Sequence, residues 1–522
     1  MAEKDETKSG MTKFAGIEVP PDLTKRNFFF LYFNTLIAGM LLGFPAIVQP
    51  AFLSEIIKIN QDFAGSINGL LQNMSQIATL LLVALVGVLS DKVGRKILAF
   101  FGFLVVGGFF YFLSFANGVA AGLHIPAGLS SQICALLSFM PSRAAEFGEF
   151  APGLLITYIT RLIIGVGFIL TYPQFITMVA DYTYEKDRGK GMAMNGVMMG
   201  VSSLLVFAIF APIQKQAGVV TTLYIIGFIA LAGAVCTWVF LKDHLPETKA
   251  AKPSFKDIIP VVRKSLPLKA SYLCALITRA DIIVLATFLM SWGVKYGKEI
   301  GMAAETATLR ASIPMMVMGV LSMVCFPIVG IMLDKWGRVP TIILATIGAA
   351  AGMILFFFCP NPFNPLVYPA AALCAFGLAG AMAGANTLAT DASPRAMVGS
   401  IMGGLNTMQP IGVLFFLGVG GYLFDVLGPG WAFMLKGSAN VLLCIWLFAV
   451  KNSITNELTE TTSLDNLTFT MEWDDEAKKM LEKVPAAFRE PAVTGTEDYA
   501  RQHSHEKVTA AVMTAFRKEL GM

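Results

Sequence analysis

Long apolar segments dominate this chain and limit its fold more than any other feature. The hydrocarbon core of a bilayer is about 30 Å thick, and a helix needs about 20 apolar residues to cross it. The sequence therefore predicts an all-α membrane protein with twelve transmembrane helices in two six-helix bundles. The twelve apolar segments are residues 27–53, 64–89, 97–119, 152–180, 191–212, 219–241, 270–294, 308–333, 340–359, 368–390, 399–424 and 431–450.

Composition supports the membrane assignment and excludes other classes. Only 14% of the 522 residues are charged, whereas soluble domains have about 25%. The net charge of +4 gives no indication of nucleic-acid binding. The seven Cys and four His lack metal-binding or redox spacing, and no nucleophile or phosphate-binding motif is present. We therefore expect no enzyme activity, no cofactor and no nucleic-acid partner. The expected partners are the lipid bilayer and a small-molecule substrate.

The distribution of Lys and Arg predicts the orientation. Basic residues collect in loops on one side of the membrane, and such loops are normally cytoplasmic. Residues 1–26 are polar and lack a cleavable signal, which favours a bacterial inner (plasma) membrane protein with both termini in the cytoplasm. The predicted divisions are an N-terminal segment 1–26, a first bundle 27–241, a linker 242–269, a second bundle 270–450 and a tail 451–522. The short basic loops contain Lys92, Arg95, Lys96, Lys186, Arg188, Lys190, Lys335, Arg338 and Arg395.

The same loop motif occurs once in each half. Residues 87–95 read GVLSDKVGR and residues 330–338 read GIMLDKWGR, after the second and eighth apolar segments. A shared G-x-x-x-D-K-x-G-R pattern at equivalent positions indicates an internal duplication. Glycine allows tight turns and close helix approach, while Asp and Arg can form ion pairs that close one side of the bundle and then break. The predicted gating-loop residues are Gly87, Asp91, Gly94, Arg95, Gly330, Asp334, Gly337 and Arg338.

This repeated loop resembles the hallmark loop of the major facilitator superfamily. The R-x-x-x-G sequence from Arg161 to Gly165 resembles another element of that superfamily, and the sequence LPETK at 245–249 resembles an ending of its sugar-porter branch. The resemblance covers residues 25–450 and implies two helical bundles around a central cavity that opens alternately to each side. Proton-coupled sugar porters carry an acidic residue in the first segment, where this chain has Asn34. That departure leaves facilitated diffusion or an organic-anion substrate.

Three charged residues lie deep inside apolar segments, where an ionisable group is a functional candidate. They are Arg161, Arg279 and Asp281. The two arginines come from opposite halves, and the planar guanidinium binds a carboxylate through two hydrogen bonds. Asp281 would then carry the coupling proton, tuned by burial and by an arginine. Because residues two apart do not share a helix face, Arg279 and Asp281 are expected to point to different neighbours. The alternative is that these charges form structural salt bridges with no role in transport.

Other polar residues in the apolar segments could contact the substrate or join helices by hydrogen bonds. The substrate-binding set comprises Asn34, Gln72, Gln76, Asn386 and Gln409, in addition to the two arginines, with Asn73, Tyr172, Gln174 and Asn406 as further candidates.

The polar tail shows helical periodicity from Asp474 onward and predicts a helical module at about 472–520. Its order of residues resembles a small C-terminal domain found in light-independent protochlorophyllide reductase, with Trp473, Ala477, Leu481, Pro485 and Arg489 in place. No cysteine accompanies them, so the iron–sulfur chemistry of that enzyme does not carry over. We expect a cytoplasmic module for regulation or for docking a protein partner; a link to tetrapyrroles is the alternative.

These observations together predict a secondary transporter that works by alternating access on a small solute. The pattern of buried charge favours an organic anion such as a carboxylate, with proton coupling through Asp281. The alternatives are a facilitator for a sugar or another neutral solute, and a membrane sensor that signals through its tail without transporting.

Overall fold

The computed structural model describes residues 13–184, 187–244, 255–394, 397–462, 467, 469–482, 484 and 486–519. Lys186, Arg395, the sugar-porter-like ending at 245–249, Pro485 and parts of the predicted N-terminal segment, linker and tail lie outside these residues. The described part of the chain is almost entirely helical, as the apolar segments predict.

The N-terminal half begins with a β-hairpin of two strands, each two residues long, and continues through long apolar helices. Thr24 caps the first helix, since its hydroxyl accepts from the backbone N–H of Asn27. In chain order the elements are β1 (Lys13–Phe14), β2 (Ile17–Glu18), α1 (Lys25–Phe52) with a π-helical turn Leu53–Ile57, a 3-10 turn Gln61–Phe63, α2 (Ala64–Val93), α3 (Arg95–Leu113), α4 (Ala116–Gly122), α5 (Ala127–Leu137), a 3-10 stretch Pro141–Phe150, α6 (Ala151–Tyr182), α7 (Arg188–Leu205) with a π-helical turn Val206–Phe210, and α8 (Ala211–Phe240).

The C-terminal half repeats this plan, and a small helical unit follows it. Its elements are α9 (Phe255–Lys264), α10 (Leu266–Thr278), α11 (Asp281–Glu299), α12 (Ala304–Lys335), α13 (Arg338–Phe357), α14 (Val367–Asp391), α15 (Val398–Val426), α16 (Gly430–Thr462), β3 (Glu472–Trp473), α17 (Asp475–Glu482), α18 (Ala486–Gln502), β4 (Lys507–Val508) and α19 (Ala510–Glu519).

Ten helical segments of the described chain are long and apolar enough to cross a membrane, and α2, which is bent, makes eleven. One of the ten, Lys190–Phe240, contains 51 residues and would be about 76 Å long if straight, more than twice the bilayer core. Both its ends lie beside the start of α1: the Tyr32 hydroxyl donates to the Gly191 carbonyl, and the Asn27 amide donates to the Phe240 carbonyl. The chain therefore turns back within this segment, at Gly218, where φ is +80°. Two crossings here bring the total to the predicted twelve.

The loop between α3 and α6 holds only short helices. Its most apolar helix, α5, has 11 residues, fewer than a crossing needs. This stretch therefore adds no crossing between the third and fourth apolar segments.

We call the side where α1 begins and α16 ends the terminal side, and the other the opposite side. The backbone N–H of Leu266, at the start of α10, donates to the Glu457 carboxylate near the end of α16. The loops that carry the repeated motif also lie on the terminal side, because one crossing separates them from the loop after α1 and the loop after α11.

The two halves pack against each other mainly on the opposite side. The first turns of α2 lie against the last turns of α15, and α1 and α2 contact α11, the opposite-side half of the seventh span. Towards the middle of the bundle, the Asn73 amide donates to the Leu414 carbonyl at 3.1 Å. On the terminal side of this contact, Gly403 and Asn406 of α15 are exposed. The protein is thus closed on the opposite side.

The tail forms a separate small core around Trp473, with β3 and β4 paired in parallel. Glu497 lies inside it and accepts hydrogen bonds from the Thr470 N–H and the Trp473 indole N–H. Burial alone would raise the pKa of Glu497, but these hydrogen bonds outweigh it and hold the pKa below the ordinary value of 4.5. Helix α18 approaches α14 of the membrane part. The described part of the tail is therefore a small helical unit with its own core.

Close helix packing within the C-terminal half predicts a large effect of one methyl group. A Cβ on Gly412 of α15 would overlap the backbone carbonyl oxygen of Leu276 in α10. We expect Gly412→Ala to lower the free energy of unfolding by about 1–3 kcal/mol, because backbone must move to relieve the overlap. The decrease should appear as a lower thermal unfolding midpoint in detergent.

Gly403→Ala, on the same helix, is the matched control, since a Cβ there meets nothing within 4 Å. It should leave the midpoint unchanged or raise it slightly, because alanine stabilises a helix by about 0.5–1 kcal/mol relative to glycine. Equal midpoints for the two variants would contradict this account of the α10–α15 packing.

Candidate functional site

The first copy of the loop motif forms an ion-pair network on the terminal side. Gly94 has φ +102°, a conformation that favours glycine. The Arg95 Nε lies 2.5 Å from the Asp181 carboxylate at the end of α6, and its Nη2 lies 3.6 Å from Asp91. Asp243 accepts from the backbone N–H groups of Arg95 and Lys96 at 2.8 and 2.9 Å and so caps α3.

The second copy repeats this arrangement. Gly337 has φ +92°, and the Arg338 Nε donates to Asp391 at the end of α14 at 2.9 Å. The Arg338 Nη1 donates to Asp334 at 3.0 Å. The equivalent partners Asp181 and Asp391 were not predicted. Each lies at the end of the fourth membrane-crossing helix of its half, and that symmetry could have identified them.

Two details of the loop prediction need correction. The Arg95 and Arg338 ion pairs described above join helices of the same half, so they do not span the boundary between halves in this conformation. Gly87 and Gly330 were expected to allow close helix approach, but a Cβ on either would meet nothing within 4 Å. With the terminal side open, these glycines have no neighbour to approach.

Arg161 is buried in the middle of the N-terminal half. It is 2% exposed, and its Nη2 donates to the Gln72 side-chain oxygen at 2.8 Å. Its Nε and Nη1 have no hydrogen-bond partner among the described residues. The guanidinium lines a cavity of about 10 Å³ together with Gln49 and Thr157, which has room for about one water molecule. All residues lining this cavity belong to the N-terminal half, so the structure does not bring Arg161 and Arg279 to one cavity.

Arg279 lies at the break between α10 and α11, where it contacts two other helices. Its Nη1 donates to the Asn406 side-chain oxygen of α15 at 2.6 Å, and its Nη2 donates to the Asn386 side-chain oxygen of α14. Asn386 is half-buried and Asn406 is exposed. The guanidinium group of Arg279 is therefore held by two neutral amide oxygens at the edge of the open, terminal side.

Asp281 faces a different helix, as the spacing predicts, but its cation is not an arginine. The Lys436 Nζ of α16 lies 2.5 Å from the Asp281 carboxylate, and the Asn440 amide donates to the same carboxylate at 3.2 Å. The Lys436 ammonium also donates to the Ile277 carbonyl at 2.7 Å and is 0% exposed. Sequence reasoning missed Lys436, although a lysine near the start of the twelfth apolar segment was a visible signal.

The other three residues of the predicted substrate-binding set, Asn34, Gln76 and Gln409, divide into two groups. Asn34 is fully buried and its amide donates to the Thr237 hydroxyl of α8, so in this conformation it joins helices, which is the alternative to substrate contact. Gln76 and Gln409 are half-buried, and neither side chain has a hydrogen bond to another described residue.

Two six-helix halves with charges at their centre and matching ion-pair loops at one end are the features of a membrane transport protein. The family model of the Major Facilitator Superfamily matches residues 31–368 and 311–496 of this chain. The chain belongs to this superfamily. It is a secondary transporter and not an enzyme.

Among known proteins, two magnetosome proteins are similar to most of the chain. It is 27% identical over 413 residues to magnetosome protein MamH of Paramagnetospirillum magneticum, covering 79% of this chain and 90% of that protein. It is 26% identical over 437 residues to magnetosome protein MamZ of Magnetospirillum gryphiswaldense, covering 82% of this chain and 63% of that protein. The chain thus spans less than two thirds of MamZ.

Solved transporter structures show the same fold at low identity. A variant of the nucleoside transporter NupG has a TM-score of 0.62 at 12% identity, covering 81% of this chain and 99% of that chain. A POT family transporter in complex with 5-aminolevulinic acid has a TM-score of 0.60 at 13% identity, covering 85% and 98%. The D-xylose-proton symporter has a TM-score of 0.56 at 16% identity, covering 81% and 97%. These likenesses show the fold alone.

The buried ion pair of the C-terminal half predicts a strong stability effect. Lys436→Met leaves the Asp281 carboxylate buried without its cation, which should lower the free energy of unfolding by about 3–5 kcal/mol. The double variant Asp281→Asn with Lys436→Met removes both charges and should recover most of that loss. Thermal unfolding of the single and double variants in detergent measures the coupling.

Lys451→Met provides a control on the same helix, where the lysine lies over the Phe448 ring at 4.3 Å. We expect it to change the free energy of unfolding by no more than about 0.5 kcal/mol. If the double variant were as unstable as Lys436→Met alone, the ion pair would not be what links α11 to α16.

Proposed function

We propose that this transporter carries a small organic anion bearing a carboxylate, and that Arg279 and Arg161 bind it. The observation that carries the proposal is the surroundings of these two arginines. Among the described residues, the hydrogen-bond acceptors of their guanidinium groups are neutral amide oxygens, and neither has a carboxylate within ion-pair distance. A positive charge buried without a counter-ion is costly, so an anionic substrate would supply the missing charge.

Arg279 is the better placed of the two arginines for first contact with the substrate. The two asparagine oxygens hold its fork in position at the edge of the open side. A carboxylate arriving from that side can replace both oxygens with two charge-assisted hydrogen bonds, which are about twice as strong as neutral ones. Gln409, about one turn from Asn406 on the same helix, is proposed as an additional polar contact.

Arg161 is proposed to join the site only after the helices rearrange. Its cavity of about 10 Å³ is too small for a carboxylate. Gln72 holds one end of the guanidinium in the meantime, and Gln76, one turn further along α2, is proposed to face the substrate when the cavity opens. The two arginines would then hold the anion from opposite halves, as alternating access requires of a central site.

Asp281 is proposed as the proton-coupling residue, with Lys436 as its partner. The pair is buried and joins α11 to α16. Protonation of Asp281 would remove the attraction that holds Lys436, and this would loosen the contact between the two helices. The proton would thereby change the packing next to Arg279, two residues away on the chain.

The loop motifs are proposed as the terminal-side gate. The Asp91–Arg95–Asp181 and Asp334–Arg338–Asp391 networks keep the ends of their helices in place while that side is open. We propose that this side is the cytoplasm, because its loops carry the excess of Lys and Arg.

For the location, we propose a bacterial inner membrane. The similarity to proteins named as magnetosome proteins supports a more specific proposal, the membrane of the magnetosome. Fractionation of producing cells with a tagged chain would separate the two, since only the second places the chain with purified magnetosomes.

The tail is proposed as a cytoplasmic module for regulation or for docking a protein partner. Its own core around Trp473 and the approach of α18 to α14 support a unit that senses or alters the second half. A tetrapyrrole ligand, suggested by the resemblance to a protochlorophyllide reductase domain, is the alternative, and absorption spectroscopy of the full chain with added tetrapyrrole would detect it.

Uptake into proteoliposomes tests the substrate class. A panel of radiolabelled monocarboxylates, dicarboxylates and sugars should show uptake of a carboxylate. Arg279→Ala and Arg161→Ala should each reduce that uptake by about tenfold or more, the value of one charge-assisted hydrogen bond. Arg279→Lys should retain part of the activity, because it keeps the charge and loses the planar fork.

Lys298→Ala is the control, since Lys298 is an exposed cation at the end of α11 on the opposite side and its loss should leave uptake unchanged. Sugar uptake that is indifferent to Arg161 and Arg279 would replace the anion proposal with a neutral-solute facilitator. Binding of solutes by the purified protein with no flux of any of them would favour the sensor.

The coupling proposal predicts a specific effect of Asp281→Asn. In the native protein, a pH gradient should drive carboxylate accumulation. The variant should lose this dependence on the gradient but should still exchange labelled for unlabelled substrate across the membrane, because exchange needs no net proton movement. Accumulation that still responds to the gradient in Asp281→Asn would exclude Asp281 as the proton carrier.

A further inference from the structure

We propose that Asp425 keeps the transporter closed on the opposite side by capping a helix of the other half. We call the hydrogen bonds that form this cap the latch. Asp425 lies near the end of α15, in the C-terminal half. Its carboxylate accepts from the backbone N–H of Gly65 at 2.7 Å, from the backbone N–H of Ser66 at 2.8 Å and from the Ser66 hydroxyl at 2.5 Å. Both donor residues are at the start of α2, in the N-terminal half.

The physical chemistry of a helix start makes this contact strong. The first N–H groups of α2 have no acceptor within their own helix, and the helix dipole places partial positive charge there. A carboxylate that accepts three hydrogen bonds at this position satisfies the unpaired donors with charge-assisted bonds. Asp425 therefore performs for α2 the capping role that a residue of the same chain segment normally performs, but it does so across the boundary between halves.

The latch lies at the end of a tightly packed contact, which we call the α2–α15 seam (residues 65–73 and 414–425). A Cβ on Gly69 would lie 2.6 Å from the Leu417 carbonyl oxygen, and one on Gly421 would lie 2.7 Å from the Gly65 carbonyl oxygen. Small residues permit this backbone contact between helices. The seam can hold only while the two helices are this close, so the latch and the packing support each other.

The loop between α3 and α6 reinforces the same place. Phe63, just before α2, has the Phe147 ring at 4.5 Å and the Arg143 guanidinium at 4.4 Å. Phe139 of the same loop reaches the α15 glycine Gly418, at 3.7 Å from a Cβ there. The start of α2 is thus held by its own half on one side while Asp425 holds it from the other half.

Opening towards the opposite side requires the seam to part, and Asp425 then loses all three donors. This inference rests on the transport function, because only a protein that alternates between two open states needs such a latch. Asp425 would act as a positioning residue that sets the balance between the two states, without contacting the substrate.

Hydrogen–deuterium exchange of the full chain in nanodiscs tests the latch without measuring transport. Gly65 and Ser66 N–H exchange only when Asp425 releases them. Asp425→Asn keeps the shape and removes the charge, and we expect peptides covering residues 64–73 and 414–426 to exchange about tenfold faster. Ser66→Ala, which removes one of the three bonds, should give a smaller increase in the same peptides.

Glu299→Gln is the control, because it neutralises an exposed carboxylate of the same side, at the end of α11; exchange at the seam should not change. The proposal is overturned if Asp425→Asn leaves seam exchange within about twofold of the native rate. It is equally overturned if exchange rises as much in α13, far from the seam, since Asp425 would then support the whole fold. Neither result depends on substrate flux, so failure of the latch and failure of the anion proposal remain distinguishable.

Discussion

Inside a bilayer no water is available to hydrogen-bond the backbone, and this constraint shapes the whole protein. Every N–H and C=O group must find its partner within the chain, so each crossing is a helix. Where a helix breaks, another group has to compensate. The gap between α10 and α11 places Arg279 beside two asparagines, and the free start of α2 receives the carboxylate of Asp425. Two of the polar contacts that matter most in this protein therefore lie where a helix breaks or begins.

The buried charges obey the same rule and differ in how they are satisfied. Asp281 and Lys436 neutralise each other and have further hydrogen bonds from Asn440 and to Ile277. Arg161 and Arg279 have only neutral acceptors among the described residues. The Asp281–Lys436 ion pair links two helices, whereas an arginine without a counter-ion can bind an anion. This contrast is the basis for assigning the pair to coupling and the arginines to the substrate.

Contacts at the two ends of the bundle are also of different kinds. On the terminal side the Arg95 and Arg338 networks hold each half together, while on the opposite side Asp425 and the glycines of α2 and α15 hold the two halves to each other. Rigid halves with one releasable boundary are the arrangement that rocking motion needs. The internal duplication supplied the first kind of contact twice, but the second kind has no repeated counterpart in the sequence motifs.

The sequence by itself determined the number and kind of the crossings, because the length of an apolar segment is fixed by the thickness of the membrane. It also located the duplicated loops and three of the buried charges, since Arg161, Arg279 and Asp281 are conspicuous in apolar surroundings. Only the tertiary structure decided which groups meet. Lys436 pairs with Asp281 from one helix to another that is distant in the chain, and Asp425 reaches α2 in the other half. Such partners depend on how helices are placed side by side, and the periodicity of a single helix carries no information about its neighbours.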